Sequence, residues 1–449
     1  DLSEMFRLAE DYNQALCVLE LGRSRALTDT LSAQYSLANQ VSTDFQSWTG
    51  IENVMDKQRK STCLYISYTP RNLVLWILKR NGVFKIHERE FSDVMQGGLL
   101  RTWDEFFAES FRQFGVLSKG SHEDRYSYEN QTKDLSTEGG NFASFRPIEE
   151  DEDQEPDPKL RLYYDMIIAP IADFLEEPNV IIVPDRQLYR VPFAALQAKN
   201  GKFLSEMFRI RFVPSLTTLK LIQDSPDDYH SQTGALIAGD PEVGEVIYKG
   251  RRKVIPPLPC ARREAEMIGR LLNIEPLIGQ QATKRAVLQR IKSVSLIHLA
   301  AHGNVDRGEI ALAPLRPIHL TPRDEEFVLS MTDISQVKLR AKLVVLSCCH
   351  SAQGQIRTEG VVGIARAFLG SGARSVLVAL WALEDSTTEQ LMKCFYAHLA
   401  RGESASESLH QAMKWMRRNG FSLVSQWAPF MLIGDDVTFD FRVIFGGKV

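Results

Sequence analysis

Two short apolar runs constrain this chain more than anything else in it. The first is Val294-Ser-Leu-Ile-His298-Leu-Ala-Ala-His302-Gly303 and the second is Lys342-Leu-Val-Val-Leu-Ser347-Cys348-Cys349-His350. Neither alternates apolar with polar residues, which fits strands covered on both faces, as in a parallel sheet between layers of helices. Each run ends in chemistry: an imidazole and a glycine on one, a pair of thiols on the other. Open α/β sheets place their reacting groups at such carboxyl ends. A cysteine nucleophile needs a nearby base, an oriented imidazole and backbone N–H donors for the oxyanion. His302 supplies the base, and Gly303, lacking a Cβ, lets a substrate carbonyl approach the main chain. The N–H of Cys349 supplies a second donor. No side chain stands out as the third member, and a backbone carbonyl could orient the ring. Cys348 and Cys349 must point to opposite faces, so only one can meet His302, and parity alone does not say which. His298 shares the face of His302 but lies four residues deeper, and reads as a packed, hydrogen-bonded histidine.

The rest of the composition narrows the class. At 449 residues the chain suggests two or three domains. Its 44% hydrophobic and 24% charged residues are those of a globular protein, and a net charge of −4 without a basic stripe gives no reason to expect nucleic acid. No apolar run approaches the roughly 18–20 residues of a membrane span. The six cysteines (17, 63, 260, 348, 349 and 394) have no framework spacing and read as thiols of a reducing, cytoplasmic compartment. The chain opens at Asp1 with no signal-peptide pattern and already looks like the middle of a helical array, so it is expected to be the C-terminal portion of a longer protein.

In order along the chain, residues 1–57 carry apolar positions at three- and four-residue steps and predict helices. Strands are expected at 63–68, 73–78 and 83–88, the last two joined by Arg80-Asn81-Gly82, a strong hairpin signal. A helix follows near 99–116. Residues 118–158, rich in polar residues and carrying Glu149-Glu-Asp-Glu-Asp153, predict a disordered acidic insert. Beyond it come helix 159–176, strand 180–184, an element near 188–196, strands at 209–213 and 235–241, and helices 261–272 and 282–291. A mostly irregular crossing at 304–328 and a short helix near 331–336 lie between the two key strands. Helix 360–371, strand 375–380, helices 387–400 and 404–418 and strand 430–433 complete the pattern. Strands alternating with helices imply a mostly parallel sheet.

Residues 294–434 resemble a CHAT domain, a caspase-like family in the clan of separase. The family's H-x-x-x-H-G motif stands here as His298-Leu-Ala-Ala-His302-Gly303, and its L-V-V-L-S-A-C motif as Leu343-Val-Val-Leu-Ser347-Cys348-Cys349. The spacing of His302 and Cys349 is comparable to that in caspases, where the histidine lies about 50 residues upstream. Glu359-Gly360-Val-Val-Gly363, Leu380-Trp381-Ala-Leu-Glu384-Asp385, Trp427-Ala-Pro-Phe430, Val191-Pro192-Phe193-Ala194-Ala195-Leu196 and Pro214-Ser215-Leu216 extend the likeness over roughly residues 60–435. The resemblance implies Cys349 as the nucleophile, with Cys348 where the family has alanine. It also implies a caspase-like mostly parallel sheet flanked by helices, with a non-catalytic pseudo-protease half at 62–230 and a catalytic half at 231–440. Leu21-Gly-Arg23-Ser-Arg25-Ala-Leu27 resembles the end of the tetratricopeptide (TPR) array that often precedes the domain, as in the large TPR–CHAT proteins of animals. After the cysteine the family often has E-T-G, whereas this chain has His350-Ser351-Ala352.

These readings imply a cysteine endopeptidase with a His302/Cys349 dyad, no cofactor, a protein substrate, and an activating partner acting through upstream TPR helices. By resemblance to separase, Asp385, with Glu384 beside it, is expected to recognise a basic residue before the cleaved bond; the plainer role for Asp385 is to cap helix 387–400. The competing expectation is a CHAT scaffold without catalysis. A metal site built from His298, His302 and the Cys-Cys-His run lacks the helical HExxH geometry and its glutamate. Gly370-Ser371-Gly372 lacks the spacing of a serine-hydrolase elbow, and no phosphate-binding loop is present.

Overall fold

The computed structural model describes residues 2–23, 25–36, 48–58, 60–80, 82–94, 102–113, 158–304, 306–315, 321–357 and 360–441. The acidic stretch expected at 118–158 lies outside them except for Pro158, as do Asn81 of the hairpin signal and Glu359 of the family motif. In chain order the described strands are β1 (Ser61–Tyr68), β2 (Asn72–Lys79), β3 (Gly82–Glu90), β4 (Asn179–Val183), β5 (Arg209–Phe212), β6 (Ala235–Pro241), β7 (Gly244–Tyr248), β8 (Arg251–Ile255), β9 (Leu277–Gly279), β10 (Leu296–Ala301), β11 (Ile310–Ala311), β12 (Val328–Leu329), β13 (Leu343–Cys348), β14 (Gln355–Arg357), β15 (Gly360–Val362), β16 (Ser375–Ala379) and β17 (Phe430–Gly434). Eleven of them form one sheet in the order β3-β2-β1-β4-β5-β17-β16-β13-β10-β6-β9. The pairs β2/β3, β1/β2 and β16/β17 are antiparallel. The rest are parallel, so the sheet is mixed and mostly parallel, as expected.

Alternation along the strands explains why both faces are covered. In β1, Cys63 and Tyr65 join a core with Leu16, Ile51, Val54 and Leu216 from helices on one face. Their neighbours Leu64 and Ile66 join the larger core on the other face, with Trp103, Phe107 and Tyr163. A strand buried on both sides has no polar positions to show, which is why these runs read as unbroken hydrophobics. On the far half, the helices Pro259–Leu272 and Asp385–Leu399 lie over the face to which His298 points: Glu264 and Tyr396 both reach its ring.

Several elements differ from expectation for identifiable reasons. The segment near 188–196 forms two 3₁₀ turns, Arg186–Arg190 and Phe193–Ala195, separated by Pro192. Helix 159–176 is α-helical only over Pro158–Tyr163, passes through a π turn at Tyr164–Ile168 and ends as a 3₁₀ helix containing Pro170, whose missing N–H cannot continue the ladder. Helix 360–371 begins instead as β15, paired with β14, and is helical only over Ile364–Gly370. Gly363 sits between the two, where a Cβ would lie 2.0 Å from the Gln353 carbonyl oxygen. The β7–β8 hairpin was not anticipated, and the crossing at 304–328 contains the β11–β12 ladder.

The N-terminal segment is helical, over Leu2–Leu8, Tyr12–Gly22, Arg25–Tyr35 and Trp48–Lys57, and it is docked by buried charges. The Arg23 guanidinium donates to the carbonyls of Ile66 (2.9 Å) and Val183 (3.3 Å) at the ends of β1 and β4 and lies 4.2 Å over the Tyr65 ring. Asp185 is 3.7 Å away. The Glu20 carboxylate accepts the N–H and the hydroxyl of Thr217 at 2.9 and 2.8 Å. Removing the cation would strand these acceptors and a partly buried carboxylate. Arg23→Ala is therefore expected to destabilise the fold by about 3–5 kcal/mol, read as a lower urea-unfolding midpoint; an unchanged midpoint would show that the helices contribute no stability through this contact.

Candidate active site

The site is built by parallel pairing. β10 and β13 are neighbours, with Ala301 opposite Cys348. The ladder ends at that pair, and His302 and Cys349 are the residues that follow it on the two strands. Cys348 goes the other way: its thiol donates to the Leu299 carbonyl oxygen at 3.2 Å. Gly303 has a structural reason beyond the one expected. A Cβ there would stand 2.2 Å from the Cys349 carbonyl oxygen, so the glycine lets the cysteine turn close against the end of β10.

His302 is 5% exposed. Its Nε2 lies 2.8 Å from the Pro256 carbonyl oxygen. A carbonyl only accepts, so the neutral ring carries its proton on Nε2 and its basic lone pair on Nδ1. The Pro256 main chain thus orients the His302 ring. No side-chain motif marks it, and the only trace in the sequence is Pro256-Pro257 ahead of the helix Pro259–Leu272.

Cys349 is buried, and its Sγ accepts the Leu383 N–H at 3.3 Å. The turn after Cys349 is stitched to the exit of β16. The His350 N–H reaches the Trp381 carbonyl, the Ala352 N–H that of Ala379, and the Gln353 side-chain amide that of Leu380. Ser351 accepts the Ala379 N–H and donates to the Leu346 carbonyl. Leu383 and Gln353 carry no sequence signal, because Leu383 acts through its main-chain N–H and Gln353 meets a main-chain carbonyl. Beside His302 and Gly303 a concavity opens, walled by Tyr248 and Ile255 of the β7–β8 hairpin and by Ala311, Phe327 and Val328.

The remaining sequence-predicted residues are placed as follows. His298 is fully buried, with Nδ1 3.1 Å from the Tyr396 hydroxyl and Nε2 2.9 Å from the Glu264 carboxylate, so it is a packed, hydrogen-bonded histidine. The helix expected at 387 starts earlier, at Asp385, and its N-cap is Glu384, whose side chain makes no cap bond. Asp385 caps a different helix: its Oδ2 accepts the Cys260 N–H at 2.8 Å in the first turn of Pro259–Leu272. Glu384 is half-buried and accepts from the Ser386 hydroxyl at 3.1 Å. Burial, and secondarily Asp385, push the Cys260 thiol up to about 12, which separates it from any nucleophilic role. Among the described residues, no group of three His, Cys, Asp or Glu side chains could hold a metal ion.

His350 carries a consequence for stability. It sits in left-handed backbone at φ +57°, 1% exposed, with neither ring nitrogen bonded, and burial holds its pKa down to about 4. An unfolded histidine titrates near 6.5. Below that pH the unfolded chain takes up a proton that the native state refuses, so this contribution is fully present above about pH 6.5 and is lost as pH falls towards 4. The loss should total about 3 kcal/mol. Urea midpoints measured from pH 7 to 4.5 should fall less steeply in His350→Asn, which tolerates the same φ; parallel curves would exclude this burial effect.

The comparisons agree with this architecture. Residues 157–435 match the CHAT domain family. Tetratricopeptide repeat protein 28 of Mus musculus is 31% identical over 62% of this chain, and that of Homo sapiens is 30% identical over the same share. The match spans only 13% of either relative's length. Among solved structures, the Saccharomyces cerevisiae separase–securin complex superposes with a TM-score of 0.52 at 13% identity, covering 96% of this chain and 34% of that chain. This likeness shows the fold, which is caspase-like as expected. No helix among the described residues is long and apolar enough to cross a membrane. With more than half its length matched, this chain belongs to the CHAT domain family.

Proposed function

We propose that the chain is a cysteine endopeptidase in which Cys349 is the nucleophile and His302 the general base. One observation carries this reading: His302 and Cys349 follow a register pair of neighbouring parallel strands, and the Pro256 carbonyl holds the histidine in the Nε2–H form. In the reaction, the thiol proton passes to Nδ1 and the thiolate attacks the scissile carbonyl carbon. The N–H groups of Gly303 and Cys349 receive the oxyanion. The imidazolium then protonates the leaving amine, and water hydrolyses the thioester with the same histidine as base. Among the described residues of 62–230 no histidine–cysteine pair stands at neighbouring strand ends, and this segment serves as the non-catalytic half. Six free thiols suit a reducing, cytoplasmic setting.

Asp385, with Glu384 beside it, is the proposed recognition site for Arg or Lys at P1. It begins two residues after Leu383, whose N–H contacts the nucleophile, and a buried carboxylate would bind a guanidinium through charge-assisted hydrogen bonds. Partners reach the site through the helical segment. Leu27 and Thr30 of helix Arg25–Tyr35 pack against Gly370, whose helix follows the cysteine turn, with a Leu27 methyl 3.3 Å from where its Cβ would be. Adding the upstream repeats or their protein ligand should therefore change the rate of cleavage.

The test uses peptidyl acyloxymethyl ketones and quenched peptides carrying Arg, Lys, Asp or Leu at P1. Wild type should label at Cys349 and prefer Arg or Lys. Cys349→Ala and His302→Ala should lose at least about 10³-fold in kcat/KM, while Cys348→Ser keeps most activity and Asp385→Ala loses the P1 preference. Full activity in Cys349→Ala would refute the assignment of the nucleophile. A wild type that neither labels nor cleaves, with or without the upstream repeats, would leave the scaffold reading.

A further inference from the structure

The orienting carbonyl of Pro256 needs an anchor of its own, and the exit of β6 provides one. β6 ends Gly239-Asp240-Pro241, and its pairing with β9 slips between Gly239 and Pro241. Asp240 stands there at φ +46°, a conformation that is strained for any residue with a Cβ. Asp240 is 4% exposed, and both carboxylate oxygens are engaged. Oδ1 accepts the Leu258 N–H at 2.6 Å, and Oδ2 accepts the Arg262 Nε–H at 2.9 Å. Leu258 is the N-cap of helix Pro259–Leu272 and has no side-chain cap to offer. Asp240 supplies that function from another strand.

The segment so anchored is short and stiff. Pro256 and Pro257 have restricted φ, so fixing Leu258 restricts where the Pro256 carbonyl can point. Downstream, Asp385 holds the Cys260 N–H. Beneath, the helix rides directly on β6: a Cβ on Gly239 would lie 2.4 Å from the Ala265 Cβ and 2.7 Å from the Ala261 carbonyl oxygen. This strap presents the Pro256 oxygen to the site, 2.8 Å from His302 Nε2.

We propose that Asp240 is a positioning residue for His302, holding Leu258 so that the Pro256 carbonyl keeps the imidazole in its Nε2–H tautomer. The effect on turnover rests on the endopeptidase reading; the tautomer does not. A carboxylate two hydrogen bonds away from the ring acts by geometry, as the outer partners of catalytic histidines do when they fix ring orientation.

The test is long-range ¹H–¹⁵N spectroscopy of ¹⁵N-histidine-labelled full chain, with His302 assigned by the signals lost in His302→Gln. Wild type should show His302 as the Nε2–H tautomer. Asp240→Ala should give a mixture with the Nδ1–H form and lower kcat by about 10–100-fold, with KM changed less than about twofold. Asp240→Asn, whose amide oxygen can still accept the Leu258 N–H, should restore the tautomer and most of kcat. If the alanine variant does not fold, Asp240→Glu, which displaces the carboxylate by one methylene, should give the same mixture. An unchanged Nε2–H form in Asp240→Ala, or in Asp240→Glu where only that folds, would overturn the proposal, as would a shifted tautomer with unaltered kcat. Absence of turnover in wild type would remove the protease reading and leave the tautomer result to decide this one.

Discussion

The contact on which the site depends is the close parallel pairing of β10 with β13, where the Cys349 carbonyl presses against the α-carbon of Gly303. Two strands in a parallel pair present residues of the same register on the same face. Ala301 opposite Cys348 therefore leaves His302 and Cys349 as the next pair, just where the ladder ends and the main chain turns away. Glycine permits the approach, and six-residue runs of fully buried side chains on both strands make the pairing stiff.

Around that pair, buried carboxylates act on main-chain N–H groups rather than on solvent. Asp240 takes Leu258, Asp385 takes Cys260, and Glu20, far across the sheet, takes Thr217. Each carboxylate holds an N–H at the start of a helix, where the first N–H groups have no intrahelical partner and the helix dipole favours negative charge. The same device thus docks the N-terminal helices and the strap beside His302. Burial strengthens such bonds because water no longer competes, but it makes each unpaired member costly.

Much of this was legible beforehand. Unbroken apolar runs at 296–301 and 343–348 announced doubly covered strands, and their polar ends marked the neighbouring pair. His298, in mid-run, was readable as packed because a buried imidazole needs partners, and Glu264 and Tyr396 supply them. Boundaries near glycine and proline were less legible. The 360–371 stretch has helical composition, yet the close contact at Gly363 turns its first residues into β15. Asp385 has the composition of a cap, but the helix it caps lies 125 positions away in sequence.

What the sequence determined by itself was the identity of the strands, through side-chain periodicity, and the residue types able to activate a thiol. Both are local properties, readable from neighbours along the chain. The tertiary structure alone decided which strands are neighbours and in what register, which carbonyl orients the His302 ring, and which N–H lies on the Cys349 sulfur. Register, the Pro256 oxygen and the Leu383 N–H are main-chain relations between distant segments. Every residue but proline carries the same N–H and C=O, so nothing in the order of side chains records which of them will meet.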